Sequence, residues 1–284
     1  MPITNSVSIV IPVYNEARHL GACLRAISAQ NQLPLEVIVV DNNSTDHSPH
    51  LVKQFPFATL MHQPKQGVVY ARDLGFDAAR GTIIARIDAD TIVPVDWLEN
   101  IIRIFSESQV NAVSGAVHYY DISLSRTVDN VDTYFRKRLS RKLSTNFLFG
   151  SNMAIRRTDW QKVSPGLCRR GGLHEDFDLA IHLQQKGGKV IYDPDLLAGV
   201  SSRRIEMDFL SFMRYALRSP YTYAEHNLSC RLHMYPVVIF GLFAYLPGRV
   251  LYKGYDKFSE RFSVTRFLEH SLGSSRVDPT TNIA

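Results

Sequence analysis

The sequence predicts an α/β fold, a mostly parallel central sheet flanked by helices, followed by a C-terminal helical appendage. Three observations predict it. Short β-branched runs alternate with segments of helical spacing through the N-terminal part of the chain, the pattern of strands joined by crossover helices. The runs are nearly continuous in apolar residues, as strands covered on both faces are. They end on polar residues, which places those side chains on the carboxyl rim of the sheet, where ligands of such sheets bind.

The elements follow in order. Residues 7–13 are a buried strand containing Pro12, and Tyr14-Asn15-Glu16 turns into a helix over 17–29 with Leu20, Leu24 and Ile27 on one face. Residues 35–40 form a second strand ending in Asp41, and Asn42-Asn43-Ser44-Thr45-Asp46 is a turn able to cap a helix over 47–55. Gln66-Gly67 opens a helix running to Ala79, in which Ala71, Gly75 and Ala78 allow close approach to the sheet and Arg72 sits near the rim. The apolar run from Ile83 stops at Asp88-Ala89-Asp90. In extended chain, residues i and i+2 point the same way, so both carboxylates can face one cleft. Two anionic groups at one rim call for a positive partner, and a hard divalent cation carrying a phosphate supplies it. The blander reading is a pair of turn acids, the second capping the helix that follows Pro94.

Composition narrows the classes. At 284 residues the chain suits one large domain or a domain with an appendage, and 45% hydrophobic with 21% charged residues is ordinary for a globular protein. A net charge of +5 suits a nucleotide diphosphate or an acidic membrane surface and is far from a nucleic-acid footprint. Cys23, Cys168 and Cys230 are scattered and form no C-x-x-C, which argues against a disulfide framework or zinc site and for a reducing compartment. The first residues carry no basic flank and lead straight into a strand, so no signal peptide is expected and a cytoplasmic location is. The absence of G-x-G-x-x-G after the first strand, and of G-x-x-x-x-G-K-[ST] throughout, disfavours dinucleotide-dependent oxidoreductases and P-loop enzymes. Phosphates would then be neutralised by a metal and basic side chains.

Beyond a helix over 96–106 and a strand over 112–120, residues 125–142 form a basic helix with Arg126, Arg136, Lys137, Arg138, Arg141 and Lys142, and with Tyr134 and Phe135 on another face. Such a helix rests on an anionic membrane or packs on the domain through its aromatics. Gly171-Gly172 leads into a helix running to Lys186 that carries Glu175, Asp176 and Asp178 in its first turn, where the dipole favours acids. A strand over 189–192 and an amphipathic helix over 209–218 follow. The stretch 235–247 is the most apolar of the chain, with Arg249 and Lys253 after it. It falls short of the roughly 20 residues of a spanning helix, which leaves an interfacial segment, a span extended to 251 or 252, or a core helix.

Taken together, Ser8 to Glu16, Val37 to Asp41 with Ser44-Thr45-Asp46, Gly67 with Ala71-Arg72 and Gly75, then Gly81 and Asp88-Ala89-Asp90 closely resemble, in residues, order and spacing, the family 2 glycosyltransferases of GT-A fold. The resemblance implies a nucleotide-diphosphate sugar donor, UDP- or GDP-linked. Pro12, Tyr14, Glu16 and Asp41 would hold base and ribose, Arg72 would lie by the nucleotide, Asp88 and Ala89 would help bind it, and Asp90 with Asp88 would ligate Mg²⁺ or Mn²⁺. Asp73 departs from the family's more frequent asparagine. Phe149 to Arg157 resembles the family's strand beside the sugar pocket. The Glu175-Asp176 pair implies the general base, with Asp176 as the base, Glu175 in support and Asp178 as the weaker candidate. Where many relatives carry a metal-binding histidine, this chain reads Val200-Ser201-Ser202-Arg203-Arg204, so the third ligand is open and the arginines are candidates to share the neutralisation. Arg214 and Arg218 occupy the place of an arginine-bearing element near the diphosphate in relatives.

The implied reaction is a single inverting displacement onto a hydroxyl acceptor, a glycan, lipid or polyprenyl-linked molecule, at the cytoplasmic face of a membrane. The expected division is a glycosyltransferase domain over 1–205, with a nucleotide half to about 120 and an acceptor half beyond it, then the appendage over 206–284. A sugar nucleotidyltransferase also uses strand-end carboxylates and a metal but has no need of the Glu175-Asp176 pair. A non-catalytic sugar-nucleotide scaffold is the other alternative, and the joint presence of Asp88, Asp90 and Asp176 speaks against it.

Overall fold

The computed structural model describes residues 5–107, 109–142, 147–256, 259 and 261–271. The expectations for residues 1–4, for Cys230, for the side chains of Arg141 and Lys142 and for the tail beyond 271 lie outside the described residues.

A seven-stranded sheet forms from β1 (Val7–Val13), β2 (Glu36–Asp41), β3 (Ala58–His62), β4 (Ile83–Arg86), β5 (Ala112–Tyr119), β6 (Met153–Arg156) and β7 (Val190–Val200), in the order β3-β2-β1-β4-β6-β5-β7. The pairings are parallel except where β6 runs antiparallel to β4 and β5. The expected fold class is the one observed. Strand order reverses between β1 and β4, and the crevice outside their carboxyl ends is where open sheets of this kind take ligands.

Helices cover both faces. On one side α1 (Leu20–Ser28) and α4 (Trp97–Glu107) bury Leu20, Leu24, Trp97 and Ile101 against Ile9 and Ile11. The short α2 (Ser48–Val52) contributes Val52 to the same layer. On the other side lie α3 (Val68–Ala78), α5 (Ser125–Lys142), α6 (Arg157–Val163) and α7 (Glu175–Gln185). Of these, α3, α6 and α7 bury Phe76, Trp160 and Leu179 with Val10 and Ile84. Adjacent residues of β1 thus point into opposite cores, which is why its sequence shows no polar face. The expected close approach of α3 is real: a Cβ on Gly75 would lie 2.4 Å from Val10 Cγ1.

Several boundaries differ from expectation for identifiable reasons. Helix α1 starts at Leu20 and not near residue 17, because the turn after β1 is bonded to the turn after β2. Asn15, at φ 55°, accepts from Thr45 N at 2.7 Å, and the Ser48 hydroxyl accepts from Glu16 N at 2.8 Å. β6 is shorter than 149–157 because Asn152 N bonds Phe149 O in a turn, and the Asn152 amide ties β5, β7 and Trp97 together. β7 runs past Pro194, since the register between Gly115 and Ala116 absorbs the proline in a bulge. Strand β3, not anticipated, is a half-exposed edge strand of five residues, Ala58–His62, with no buried residue among them.

Past β7 lie α8 (Phe209–Glu225), α9 (Tyr235–Lys253), a two-stranded hairpin of β8 (Tyr255–Asp256) and β9 (Arg261–Phe262), and α10 (Val264–Ser271). Both α8 and α9 continue through internal prolines, Pro220 and Pro247, where a proline usually ends a helix. Tyr223 and Met234 share a buried cluster with Phe147, Phe177 and Ile181, and Phe240 of α9 meets Phe135 of α5 at a ring separation of 4.8 Å.

Candidate active site

The carboxyl ends of β1 and β4, the loop before α7, the turn after β7 and one face of α8 enclose a cavity of about 560 Å³. Of the residues singled out in the sequence, Pro12, Tyr14, Glu16, Asp88, Ala89, Asp90, Glu175 and Asp176 all line it. Acids separated by more than eighty positions in the chain therefore share one chamber, as the topology of the sheet requires.

Two expected residues stand outside the lining. Arg72 is fully buried and turned into the protein: its Nε and Nη2 donate to Asp73 Oδ1 at 2.9 and 2.7 Å, and its Nη1 donates to the Glu175 carbonyl at 2.6 Å. Placed there, Arg72 fastens α3 to the start of α7 instead of reaching toward a nucleotide. Asp73, the departure from asparagine, completes this clamp by accepting from Arg169 Nε at 2.7 Å. Asp41 is buried at the end of β2, where Oδ1 accepts from Ser44 N at 3.2 Å and Oδ2 faces His62 Nδ1 at 3.3 Å; its neighbour Asn42 lines the cavity instead.

The two acid groups are joined by a residue to which the sequence reading gave no role. Arg86, on β4, donates Nη1 to Glu175 Oε1 at 2.8 Å and approaches Asp88 Oδ1 with Nη2 at 3.4 Å. Its guanidinium lies against Gly150, where a Cβ would come within 2.3 Å of Cζ. The available signal was a lone charge inside the apolar run from Ile83 to Ile87, since a buried arginine needs anionic company.

Asp176 stands in the first turn of α7 with both oxygens fixed by backbone donors, Oδ2 by Gly150 N at 2.9 Å and Oδ1 by Phe177 N at 2.9 Å. Burial and the adjacent Glu175 charge push its carboxyl well above the usual carboxylate range, against the opposing pull of Arg86. Glu175 is also enclosed, but the guanidinium of Arg86, backed by Arg72, holds it well below that range. Neighbouring carboxylates driven apart in this way are suited to different roles, one a fixed anion and one a proton acceptor. His174, packed between Phe177 and Tyr215, is kept neutral by burial, its pKa depressed to about 4. Asp178 points elsewhere. It accepts from Cys168 N at 2.9 Å and contacts His226 Nε2 at 2.7 Å, a buried knot between α7, α8 and the loop before them.

Asp88 and Asp90 offer the hard oxygen donors that Mg²⁺ or Mn²⁺ selects. Mg²⁺ typically takes one or two protein carboxylates and completes its shell with phosphate oxygens and water. The residues present fit that mode. Among the described residues, no histidine or cysteine joins the pair to make a three-ligand protein cage; the Cys168, Asp178 and His226 group lies apart from it. Around Asp90 the side-chain partner is Arg203, whose Nε donates to Oδ2 at 2.8 Å, while the Tyr120 hydroxyl donates to the Asp90 carbonyl at 2.7 Å. Arg204 and Arg218 also line the cavity, bracketing the Tyr215 ring at 4.0 and 5.6 Å. Of the two arginines expected near the diphosphate from α8, Arg218 lines the cavity and Arg214 does not.

Comparison with known proteins finds glycosyltransferases. The pattern defining Glycosyl transferase family 2 matches residues 8–163. A glycosyltransferase of Haloferax volcanii, AglE, is 30% identical over 167 residues, which cover 56% of this chain and 55% of AglE. The uncharacterized glycosyltransferase YibD of Escherichia coli is 27% identical over 244 residues, 82% of this chain and 65% of YibD. The chain thus spans between half and two thirds of the length of these relatives. Among solved structures, the mannosyltransferase PcManGT of Pyrobaculum calidifontis, in complex with GDP-Man and Mn²⁺, superposes with a TM-score of 0.64 at 25% identity, covering 85% of this chain and 72% of that one. Staphylococcus aureus TarS shares the fold, at a TM-score of 0.56, 13% identity and coverage of 84% of this chain and 43% of that one.

Proposed function

The chain belongs to glycosyl transferase family 2, and from that premise we propose that it is a metal-assisted, inverting enzyme moving a sugar from a nucleotide diphosphate to a hydroxyl acceptor. The observation that carries this reading is the single cavity in which the Asp88–Asp90 rim and the Glu175–Asp176 pair meet, bridged by Arg86. The family assignment argues against the nucleotidyltransferase alternative, and the presence of Asp88, Asp90 and Asp176 in one cavity speaks against a non-catalytic scaffold.

In this reading Tyr14, Glu16 and Asn42, at the ends of β1 and β2, and Ala89, all of them lining the cavity, would bind the nucleotide. Asp176, ionised, takes the acceptor's hydroxyl proton as the oxygen attacks the anomeric carbon in one in-line displacement. The donors at Gly150 and Phe177 fix the direction of its oxygens, and Glu175, kept ionised by Arg86, raises its affinity for the proton. A divalent cation held by Asp90 and Asp88, Mg²⁺ or Mn²⁺, supplies electrostatic stabilisation of the departing diphosphate. PcManGT carries GDP-Man with Mn²⁺, which supports a GDP- or UDP-linked donor here. Stabilisation against heat by GDP or UDP with Mn²⁺, and sugar release from the matching donor, test the reading. A protein unmoved by either nucleotide would refute it.

The acceptor in this reading is a lipid-linked or polyprenyl-linked glycan, met at a membrane surface on the cytoplasmic side. Residues 231–253 form a helix long and apolar enough to cross a membrane, and little of it is buried. Ile239, Phe240, Phe243 and Leu246 of α9 are exposed, with the basic α5 alongside through the Phe135–Phe240 contact. An apolar helix face beside a basic one suits an anionic bilayer. Flotation with vesicles containing phosphatidylglycerol should recover the protein, and F243D with L246D should release it. Failure of the unaltered chain to float would refute membrane docking while leaving the transfer chemistry standing.

A further inference from the structure

Arg203 has a placement that the family reaction does not explain. It leads the 3₁₀ turn Arg203–Glu206 after β7. That turn is pinned from behind: Asp121 accepts from Ser201 Oγ at 2.5 Å and from Ser202 N at 2.7 Å, and Ser201 Oγ in turn accepts from Arg203 N at 3.2 Å. So fixed, the guanidinium reaches across the rim. Its Nε donates to Asp90 Oδ2, its Nη2 to Glu16 Oε1, and its Nη1 meets His19 Nδ1 at 3.2 Å. The side chains of Arg203, Glu16 and Asp90 are each about nine-tenths buried, so the triplet is part of the interior and is little screened by solvent.

We propose that Arg203 is the resident counter-ion of Asp90 in the ligand-free protein, and that it makes divalent-metal binding conditional on a nucleotide diphosphate. The inference rests on the metal-assisted reading above. A guanidinium between two carboxylates leaves the trio with one net negative charge. A divalent cation entering alone at Asp90 must either sit against the guanidinium or displace it from Asp90 with no other anion there to receive it, and each course is costly where screening is weak. A diphosphate removes the conflict, since its oxygens accept from the displaced guanidinium and complete the shell of the metal. Arg203 then exchanges Asp90 for the diphosphate. By linkage, nucleotide and metal each tighten the binding of the other to the same degree.

The experiment is direct Mn²⁺ binding, followed by the electron paramagnetic resonance of the free aquo ion, on the full chain with and without GDP or UDP and with no acceptor. The unaltered protein should bind Mn²⁺ at least about tenfold more tightly with nucleotide than without it. Arg203→Gln should bind Mn²⁺ without nucleotide at least about tenfold more tightly than the unaltered protein, and should lose nucleotide affinity. Arg203→Lys, which keeps the charge, should retain the dependence on nucleotide. An Arg203→Gln protein that binds Mn²⁺ without nucleotide no more tightly than the unaltered protein overturns the proposal and leaves the metal-assisted reading intact. Absence of Mn²⁺ binding under every condition refutes that reading, and the proposal with it.

Discussion

The two acidic ends of the cavity are held by different means. Asp176 is fixed by backbone N–H groups of Gly150 and Phe177, donors that belong to a turn and a helix and stay in place while those elements stay folded. Asp90 is held by the tip of a long side chain arriving from more than a hundred residues away, Arg203. In the proposed reaction, the first arrangement aims a base in advance of its substrate. The second satisfies a carboxylate while leaving it exchangeable, as a site that admits a charged ligand and then releases it requires. The lesson is that a preorganised group and a displaceable one can share a chamber if backbone holds the first and a side chain holds the second.

The sharpest way to break this comparison is Asp176→Asn. Transfer should fall by on the order of 10²–10⁴-fold, with nucleotide affinity unchanged, in a radiolabelled-sugar assay beside calorimetry. Because asparagine sets its NH2 against one of the two backbone N–H donors, the same variant should melt earlier at acidic pH, and the deficit should shrink as pH rises. The sign follows from the raised proton affinity of Asp176: its contribution to stability is full below the ordinary carboxylate value and is lost as pH rises through the folded value, and asparagine abolishes that loss.

Removing Arg86 tests the bridge between the two ends. Arg86→Met leaves Glu175 charged and enclosed without its chief partner, and breaking a buried pair in this way typically costs about 3–5 kcal/mol, read by chemical denaturation. Arg86→Lys should recover part of it, since lysine keeps the charge but not the fork geometry.

Asp90→Ala should abolish the metal-dependent part of nucleotide stabilisation in a thermal-shift titration, while stabilisation by nucleotide without metal persists. The smallest effect is on pH dependence. Because the base acts ionised, kcat/KM should decline as pH falls through a limb lying above the ordinary carboxylate range, and with Arg86→Lys that limb should move higher still as the opposing positive charge weakens its hold. A limb at the ordinary carboxylate value would place the base elsewhere.

What could be read in the one-dimensional sequence, and what could not, divides along the same physical line. Residues 7–13 and the run from Ile83 to Asp90 announced their strands because a strand buried on both faces must be apolar throughout, and the polar residues after them announced the rim. The basic helix over 125–142 was legible to the residue for a related reason, since its side-chain pattern repeats at short range. The far ends of β7 and α8 were not legible, because a bulge carries β7 past Pro194 and the packing of α8 over α7 carries that helix past Pro220, and both depend on neighbours distant in the chain. Arg72 misled for the reverse reason: its place on α3 was evident, but the direction of its side chain was decided by Asp73 and by the Glu175 carbonyl. Local pattern determined which residues sit at strand ends and helix starts, because periodicity and turn chemistry act over a few residues. Only the folded chain decided which charges meet, Arg86 with Glu175 and Arg203 with Asp90, because ion pairs form between neighbours in space and carry no trace of sequence separation.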